Sequence, residues 1–358
     1  MINNNQQAFF ALVRAGLWEK EVRLLPYGKV DYDEVMRLAQ EQAVIGLVAA
    51  GLEHVADVKI PQVWALRFAG AAIQMEQKNK AMNAFIAEMV EKMQKEEIYT
   101  VLVKGQGIAQ CYEKPLWRVS GDIDFFLSDD NYQKAKTYLT PFSSSGKPER
   151  RYSKEIGFSI NQWLIELHGT MHTGLSSHLD KSIDEVQKAV FFDGRVRSWM
   201  DGQTKVFLPG VDEDVFFVFT HFIKHFYKEG GVTLRQMCDW CRLLYTYRES
   251  LNHGLLAFRI KKAGLMDEWR AFAEVAVKYL GMPVEAMPMY DSRLMGQDSR
   301  FARKTEMIIH YILKGGEWRK WRDTLRVSRI FPWNTLRFTP GILLNVNWMK
   351  AKDRLVNG

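Results

Sequence analysis

The sequence predicts an α+β protein in which a short α/β segment lies between two helical regions. Apolar residues recur at helical spacing over about the first hundred residues and again after residue 211. Between these regions, short β-branched and apolar runs alternate with turn residues, as in strands. We therefore divide the chain into an N-terminal helical region (1–97), an α/β core (98–210) and a C-terminal helical region (211–358).

The N-terminal region predicts three helices. Phe9, Leu12 and Leu17 lie on one helical face, and Pro61 suits the first turn of a long helix. Several methionines follow on the face of this long helix, which is more typical of a core than of a cofactor site. The predicted helices cover residues 5–18, 32–55 and 61–95.

The central region predicts four strands and two short helices, and helical periodicity then returns. Asn161 and Gln162 predict a tight turn between the last two strands. The predicted strands cover residues 99–103, 122–127, 156–160 and 163–168, and the short helices cover 108–112 and 131–139. The C-terminal helices cover 212–227, 234–247, 255–263, 268–280 and 303–313.

Bulk composition excludes several classes of protein. Hydrophobic residues make up 47% of the 358 residues, which is normal for a globular protein and argues against global disorder. No apolar run is long enough to span a bilayer, and the N-terminus lacks the features of a signal peptide. The three cysteines do not make a disulfide framework. We therefore predict a cytoplasmic protein without a membrane span.

The net charge of +7 is concentrated near the C-terminus. Residues 299–358 contain 13 Lys or Arg but only 4 Asp or Glu. Such a basic tail can favour nucleic acid, anionic lipid or a phosphorylated substrate. It can equally be the solvated surface of a helix, and both interpretations stay open.

Three carboxylates carry the chemistry of the central region. Asp122 and Asp124 project from the same face of a predicted strand, about 7 Å apart along the chain, and can share Mg²⁺. Glu166 is flanked by apolar residues, where a charge is costly unless it is paired or bound to metal. If the two strands are adjacent, the three carboxylates surround one metal site. The alternatives are a solvated strand end for the aspartates and an ion pair, for example with Arg118, for Glu166.

The carboxylates belong to a series of sequence blocks. The blocks are Lys104-Gly105, Arg118-Val119-Ser120-Gly121-Asp122-Ile123-Asp124, Glu166-Leu167-His168 and, further on, His221-Phe222-Ile223-Lys224-His225 followed by Leu234-Arg235-Gln236-Met237-Cys238-Asp239. Together they resemble a family of uncharacterised bacterial nucleotidyltransferases within the superfamily typified by DNA polymerase β. The ordered set, which spans roughly residues 30–280, is far more specific than Asp-x-Asp alone.

The resemblance implies a small mixed sheet flanked by helices, and transfer of a nucleoside monophosphate from an NTP. It implies that Asp122 and Asp124 ligate Mg²⁺, while Glu166 completes the metal site or deprotonates an acceptor hydroxyl. Gly105 would let the backbone approach the triphosphate, because it has no side chain. Most of the superfamily has Gly-Ser at this turn. Here Lys104 can supply a phosphate charge in place of the serine hydroxyl.

Further residues of these blocks are predicted to bind the nucleotide or the acceptor. Arg118 either binds phosphate as a bidentate fork or orients the carboxylates, whereas Lys104 could simply be an exposed lysine. His221 and His225 share a helical face, so they line the phosphate or acceptor pocket, bind zinc, or are buried and hydrogen-bonded. The predicted binding residues are Lys104, Gly105, Arg118, Gly121, His168, His221, Lys224, His225 and Arg235.

The helix after residue 233 carries two more patterns. Arg235 and Asp239 are four apart and could form an ion pair. Cys238 and Cys241 form a Cys-x-x-Cys within a helical pattern, and the absence of a second pair argues against zinc or redox chemistry. The family resemblance implies a packing or cleft role instead.

These observations predict a Mg²⁺-dependent enzyme that transfers a nucleotide from an NTP to a hydroxyl or amine of a small molecule or protein. Two alternatives remain. One is a catalytically silent module that binds a nucleotide or a partner. The other is an RNA nucleotidyltransferase in which the basic tail binds nucleic acid. Four tail tryptophans could then stack bases, namely Trp318, Trp321, Trp333 and Trp348.

Overall fold

The computed structural model describes residues 2–150, 153–228, 231–291, 299–313 and 320–340. Within these ranges, helices surround a four-stranded sheet and a separate two-stranded sheet. The predicted α+β class is therefore confirmed. No helix in the described ranges is long and apolar enough to cross a membrane.

The four-stranded sheet consists of β1 (Val101–Val103), β2 (Ile123–Phe126), β3 (Glu155–Ile160) and β4 (Trp163–His168). The strand order is β1-β2-β4-β3, in which β2 and β4 run parallel and the outer pairs run antiparallel. Asn161 begins the turn between β3 and β4 with a φ of 55°, a left-handed value that asparagine tolerates. The small mixed sheet agrees with the resemblance, and the four predicted strands are confirmed to within two residues at each end.

Helices precede the sheet, cover it and follow it along the chain. α1 begins with a capping box in which Asn3 and Gln6 satisfy each other's backbone N–H groups. The helices are α1 (Asn4–Trp18), α2 (Tyr32–Glu41), α3 (Ile45–Glu53), α4 (Gln62–Lys95), α5 (Gly105–Ala109), α6 (Asp129–Leu139), α7 (Ser177–Phe191), α8 (Val211–Lys228), α9 (Leu234–Thr246), α10 (His253–Ala263), α11 (Met266–Leu280), α12 (Ser299–Leu313) and α13 (Lys320–Ile330). Residues 332–340 are also helical.

The prediction of one helix over residues 32–55 is wrong, because α2 and α3 are separated by a break. The break contains neither glycine nor proline, and Ala43 has a φ of 54°. The buried Gln42 side chain stabilises it. Its Oε1 accepts a hydrogen bond from the Leu234 N–H at 3.0 Å, and its Nε2 donates to the Ile312 carbonyl at 2.9 Å. Tertiary hydrogen bonds therefore override the helical pattern at this point.

A helix and a hairpin between residues 169 and 210 were not predicted from the sequence. The helix is α7, and the hairpin joins β5 (Val196–Asp201) to β6 (Thr204–Pro209) in antiparallel register. β6 packs against β1 and α4 and contributes Val206 and Leu208 to the core behind the sheet. Alternate residues of β5 are exposed, so the hairpin covers the core with one face only.

Two hydrophobic cores lie on opposite faces of the four-stranded sheet. The smaller core is formed by β-strand residues such as Phe125 and Ile165, together with α6 and the second half of α4. Three of the four methionines of α4, Met82, Met89 and Met93, are buried there, as predicted, whereas Met75 is only half-buried. The larger core combines helices from both ends of the chain, from Phe9 in α1 to residues beyond α13. The N-terminal and C-terminal helical regions therefore share one core.

Close helix packing in the larger core depends on glycine. α1 and α3 cross so closely that a Cβ atom added to Gly51 would lie 2.0 Å from the Leu12 carbonyl oxygen. A Cβ atom on Gly16 would meet the Leu47 carbonyl at the same distance. Both obstacles are backbone atoms, so a side chain at either position would push the helices apart.

Candidate functional site

Two carboxylates and an imidazole come together on the face of the sheet opposite the smaller core. Asp124 of β2 and Glu166 of β4 are register neighbours, and strand alternation places His168 on the same face as Glu166. One ligand atom from each of the three residues lies within 4.8 Å of the others. Their side chains are only 4%, 9% and 8% exposed, respectively. This buried group could hold a metal ion.

The composition of the group differs from the predicted metal set of Asp122, Asp124 and Glu166. The closest set contains His168, which was predicted to bind substrate, and not Asp122. Asp122 immediately precedes β2 and is half-buried at the edge of the same cleft. The adjacency of the two strands agrees with the expectation, while the assignment of each ligand stays a prediction.

Asp124 is the electrostatic centre of the site. Its Oδ1 lies 3.1 Å from Lys104 Nζ and 2.7 Å from His168 Nε2. Burial acts to raise the pKa of Asp124, but the Lys104 charge and the His168 hydrogen bond outweigh it and hold the pKa well below its usual range. Asp124 is therefore ionised, and the imidazole must donate its Nε2 proton to it.

Asp122 is perturbed in the opposite direction. The charge of Asp124 raises the pKa of Asp122, and burial raises it further, while Lys104 acts to lower it. Glu166 adds a smaller repulsion. The carboxylates therefore repel one another, and a cation in the cleft would be stabilised by all three.

Lys104 reaches Asp124 from an unusual backbone conformation. It is the residue before α5 and has φ 58° and ψ −146°, a combination that glycine adopts far more readily than other residues. Its side chain is 18% exposed. Burial acts to lower the pKa of Lys104, but Asp124 and Asp122 raise it overall, so the ammonium stays charged. Lys104 is thus a constituent of the site, and the alternative of a simply exposed lysine is wrong.

Arg118 fixes the segment that leads into β2. Its guanidinium donates two hydrogen bonds of 2.7 Å to the carboxylate of Asp239 on α9, and both side chains are almost fully buried. Tyr112 donates a third hydrogen bond to the same carboxylate at 2.7 Å. Asp239 is therefore bound by Arg118 and Tyr112, and the predicted ion pair between Arg235 and Asp239 is wrong.

A second set of buried hydrogen bonds supports the same segment from α4. The Asn79 amide donates to the carbonyls of Leu116 and Arg118, each at 2.8 Å. Gln106 of α5 then donates to the Asn79 amide oxygen at 2.9 Å and to the Ser120 hydroxyl at 3.1 Å. These bonds connect the turn after β1 to the turn before β2, and so position Lys104 relative to the aspartates.

All twelve predicted site residues line one cleft with a volume of about 310 Å³. The wall opposite the sheet is formed by α8 and the start of α9 and carries His221, Lys224, His225 and Arg235. The Nε2 atoms of His221 and His225 are 2.9 Å apart. Burial lowers the pKa of His221 well below its ordinary value, and Lys104 lowers it further, so the imidazole is neutral.

Arg235 has an unusual electrostatic environment. Its guanidinium donates a hydrogen bond to the Val119 carbonyl at 3.0 Å, while its buried Nε has no partner. Among the described residues, no carboxylate forms an ion pair with it. Burial and the charge of Arg118 lower the pKa of Arg235. A half-buried guanidinium without a carboxylate partner favours an anionic ligand, because a charge that is partly removed from water is costly without a partner.

Three charged residues on the rim of the cleft, Lys147, Arg150 and Glu155, were not predicted from the sequence. Lys147 pairs with Glu166, and Arg150 pairs with Glu155 at 3.1 Å. Glu166 therefore has an ion-pair partner, although it is Lys147 and not the suggested Arg118. Lys147 lies in a polar loop without a motif. It reaches Glu166 only because the segment containing it pairs with β3, where the Gly157 N–H donates to the Lys147 carbonyl.

The structure also bears on the alternative zinc and redox roles of the cysteine pair and the histidine pair. Cys238 and Cys241 are free and fully buried, and burial raises the pKa of both thiols, which favours packing. His221 and His225 are not part of any group of three metal-ligand side chains among the described residues.

Comparison with known proteins identifies the family of the chain. The model of a family described as uncharacterised nucleotidyltransferase matches residues 28–281. The chain belongs to this family of nucleotidyltransferases, and all twelve predicted site residues fall within the matched segment. Searches of curated proteins and of solved structures found no match.

Proposed function

We propose that the protein is a Mg²⁺-dependent enzyme that transfers a nucleoside monophosphate from an NTP to a hydroxyl or amine of a small molecule or protein. The buried Asp124–Glu166–His168 group carries the proposal, because it faces a cationic wall across a cleft of suitable size. The free cysteines support the cytoplasmic location that belongs to the proposal.

The donor set fits a divalent cation. Asp124 and Glu166 supply the oxygen ligands that Mg²⁺ prefers, and Asp122 adds a third carboxylate at the cleft edge. When bound, Mg²⁺ would neutralise charge on the reacting phosphate oxygens. His168 holds Asp124 in a fixed orientation through its 2.7 Å hydrogen bond. Alternatively, Glu166 could accept a proton from the acceptor, as the resemblance implies.

The wall residues suit the anionic parts of the substrates. Arg235 can donate from its unpartnered Nε to a phosphate oxygen. Lys104 lies beside the carboxylates and carries a charge that phosphate would attract. Gly105 and Gly121 leave the two turns without side chains; in particular, a Cβ atom on Gly121 would meet nothing within 4 Å. The backbone can therefore approach a ligand there.

We do not extend the proposal to RNA. Trp333 is 80% exposed, as base stacking would require, but it lies at a different pocket from the cleft. Trp318 and Trp348 lie outside the described residues, as does the Trp321 side chain. The basic tail therefore adds no described residue to the candidate site.

Thermal unfolding with combined ligands tests the proposal. Mg²⁺ alone meets carboxylates but lacks phosphate oxygens, and NTP alone brings its phosphates close to Asp122, Asp124 and Glu166 without a metal between the like charges. Together they should give a shift in Tm that exceeds the sum of the separate shifts. At a hundredfold excess over Kd, binding adds about 2.7 kcal/mol to the free energy of unfolding. This corresponds to several degrees, at about 2–4 °C per kcal/mol for 150–250 residues.

Two variants sharpen this experiment. Asp124→Asn removes a central carboxylate and should abolish the excess shift. Glu155→Gln removes a carboxylate from the rim of the same cleft, outside the proposed ligand set, and should retain it. Additive shifts in the wild type, or an excess that survives Asp124→Asn, would contradict the proposal and favour the silent module. A lysate incubated with each labelled NTP would then identify the class of acceptor by mass spectrometry.

A further inference from the structure

Both central carboxylates are already occupied by lysine ammonium groups. Lys104 Nζ lies 3.1 Å from Asp124 Oδ1, and Lys147 Nζ pairs with Glu166 Oε1. The two lysines reach the site from different segments, one at the start of α5 and the other in the loop before β3. Each therefore interacts with an oxygen that the proposed function assigns to the metal.

The two lysines offset most of the negative charge of the three carboxylates. Two ammonium groups supply a charge of +2 to a cluster of three carboxylates, which is the charge of one divalent cation. They reduce the repulsion that Asp122, Asp124 and Glu166 would otherwise exert on one another. A metal ion that binds the same oxygens must compete with them.

We propose that the ammonium groups of Lys104 and Lys147 neutralise the carboxylates when no metal is bound. When metal and nucleotide bind together, the two ammonium groups move from the carboxylates to phosphate oxygens. This inference rests on the proposed function. The triphosphate supplies the anionic partner that the displaced ammonium groups need. Metal alone leaves the lysines beside a cation and without a partner, so it binds poorly.

The two lysines differ in their freedom to move. The Lys104 side chain is 18% exposed, whereas the Lys147 side chain is 54% exposed and belongs to a surface loop. Lysine has four flexible methylene groups and a compact charge, so Lys147 can leave Glu166 without moving the backbone. Lys147 is therefore the residue that opens the metal position, and it is a further binding residue for the triphosphate.

The test measures metal binding directly, with Mn²⁺ as the probe and electron paramagnetic resonance as the readout. Lys147→Met keeps the length of the side chain and removes its charge. In the absence of nucleotide, Lys147→Met should bind Mn²⁺ up to about fivefold more tightly, the fold-change at the upper end for an ion pair in which one partner is exposed. With inorganic triphosphate present, the same variant should bind the Mn²⁺–triphosphate complex more weakly than the wild type.

The proposal requires that Lys147→Met bind Mn²⁺ alone more tightly than the wild type does, and bind the Mn²⁺–triphosphate complex more weakly. Lys154→Met is the matched control, because Lys154 pairs with Asp129 at 2.7 Å, away from the cleft, and is similarly exposed. It should change neither affinity. Lys104→Met offers a second variant and should also tighten binding of Mn²⁺ alone.

The outcomes separate the inference from the proposed function. If triphosphate and Mn²⁺ bind the wild type cooperatively but Lys147→Met binds Mn²⁺ no more tightly, the lysine exchange is refuted and the nucleotide site stands. If Mn²⁺ binding tightens in Lys147→Met but triphosphate never enhances Mn²⁺ binding, transfer of the lysines to phosphate is refuted and the proposed function fails with it. If Lys154→Met bound Mn²⁺ more tightly than the wild type and to the same extent as Lys147→Met, the effect would come from the change in net charge alone. That result would overturn the inference.

Discussion

Replacing Lys104 by glycine and, in a second variant, by alanine separates backbone strain from loss of the ammonium group. Both variants remove the ion pair with Asp124, so the difference between their free energies of unfolding does not include the loss of that ion pair. Only glycine adopts φ 58° and ψ −146° without a penalty from its side chain. Lys104→Gly should therefore be more stable than Lys104→Ala.

The size of the difference follows from two opposing effects. A non-glycine residue in such a conformation costs about 1–3 kcal/mol in the folded state. Glycine in turn gives the unfolded chain more conformational freedom, which costs about 0.4–1 kcal/mol relative to alanine. The net advantage of Lys104→Gly in the free energy of unfolding should be about 0.5–2 kcal/mol.

Urea unfolding at equal protein concentration measures this difference. Equal denaturation slopes would show that the two variants expose similar surface, so that the midpoints can be compared. Both variants should lose binding of the metal–triphosphate complex to the same extent, because both lack the ammonium group. Equal midpoints, or a higher midpoint for Lys104→Ala, would refute the argument that the backbone at residue 104 is strained in the folded protein.

Two further predictions concern the fold. Gly51→Ala should lower the free energy of unfolding by about 2 kcal/mol or more, because its Cβ atom would meet the Leu12 carbonyl. Gly70→Ala on α4 is the control and should raise the free energy of unfolding by about 0.5–1 kcal/mol, because a Cβ atom there meets nothing within 4 Å. Chemical denaturation checks both, and equal effects would contradict the close helix packing. Burial raises the pKa of Glu268, so the folded state holds this proton to higher pH than the unfolded state does. Its contribution to stability therefore falls as the pH rises above about 4.3. Relative to wild type, Glu268→Gln should be more stable at pH 7 than at pH 4, and a constant difference would refute this linkage.

Local pattern was sufficient to predict the strands that carry the site. Glu166 stands between apolar neighbours and two residues before His168, so alternation alone places both side chains on one face. Pairing of that strand with the strand of Asp124 was stated as a condition, because the spacing between the two segments does not determine their register. The structure provides the register and brings His168 next to Asp124.

Features that depend on tertiary contacts could not be predicted. Lys147 is a single lysine in a polar loop, and only the pairing of its segment with β3 brings it to Glu166. The break at Ala43 is stabilised by hydrogen bonds to residues about 190 and 270 positions away. By contrast, α7 was predictable, since its buried Leu179, Ile183 and Val186 recur at helical spacing.

The hydrogen bonds of Gln42 indicate which contacts a shorter fragment of the protein would lose. Its carbonyl accepts from the Arg235 N–H at 3.2 Å, and its side chain holds the adjacent turn of α9 and the end of α12. α12 lies beyond the segment that the family model matches. An excised fragment of residues 28–281 would therefore lose the Ile312 carbonyl that fixes the Gln42 side chain, and Gln42 in turn contacts Arg235 at the cleft. It would also lose α1 with its buried Phe9. We therefore expect the family segment alone to be less stable than the longer chain.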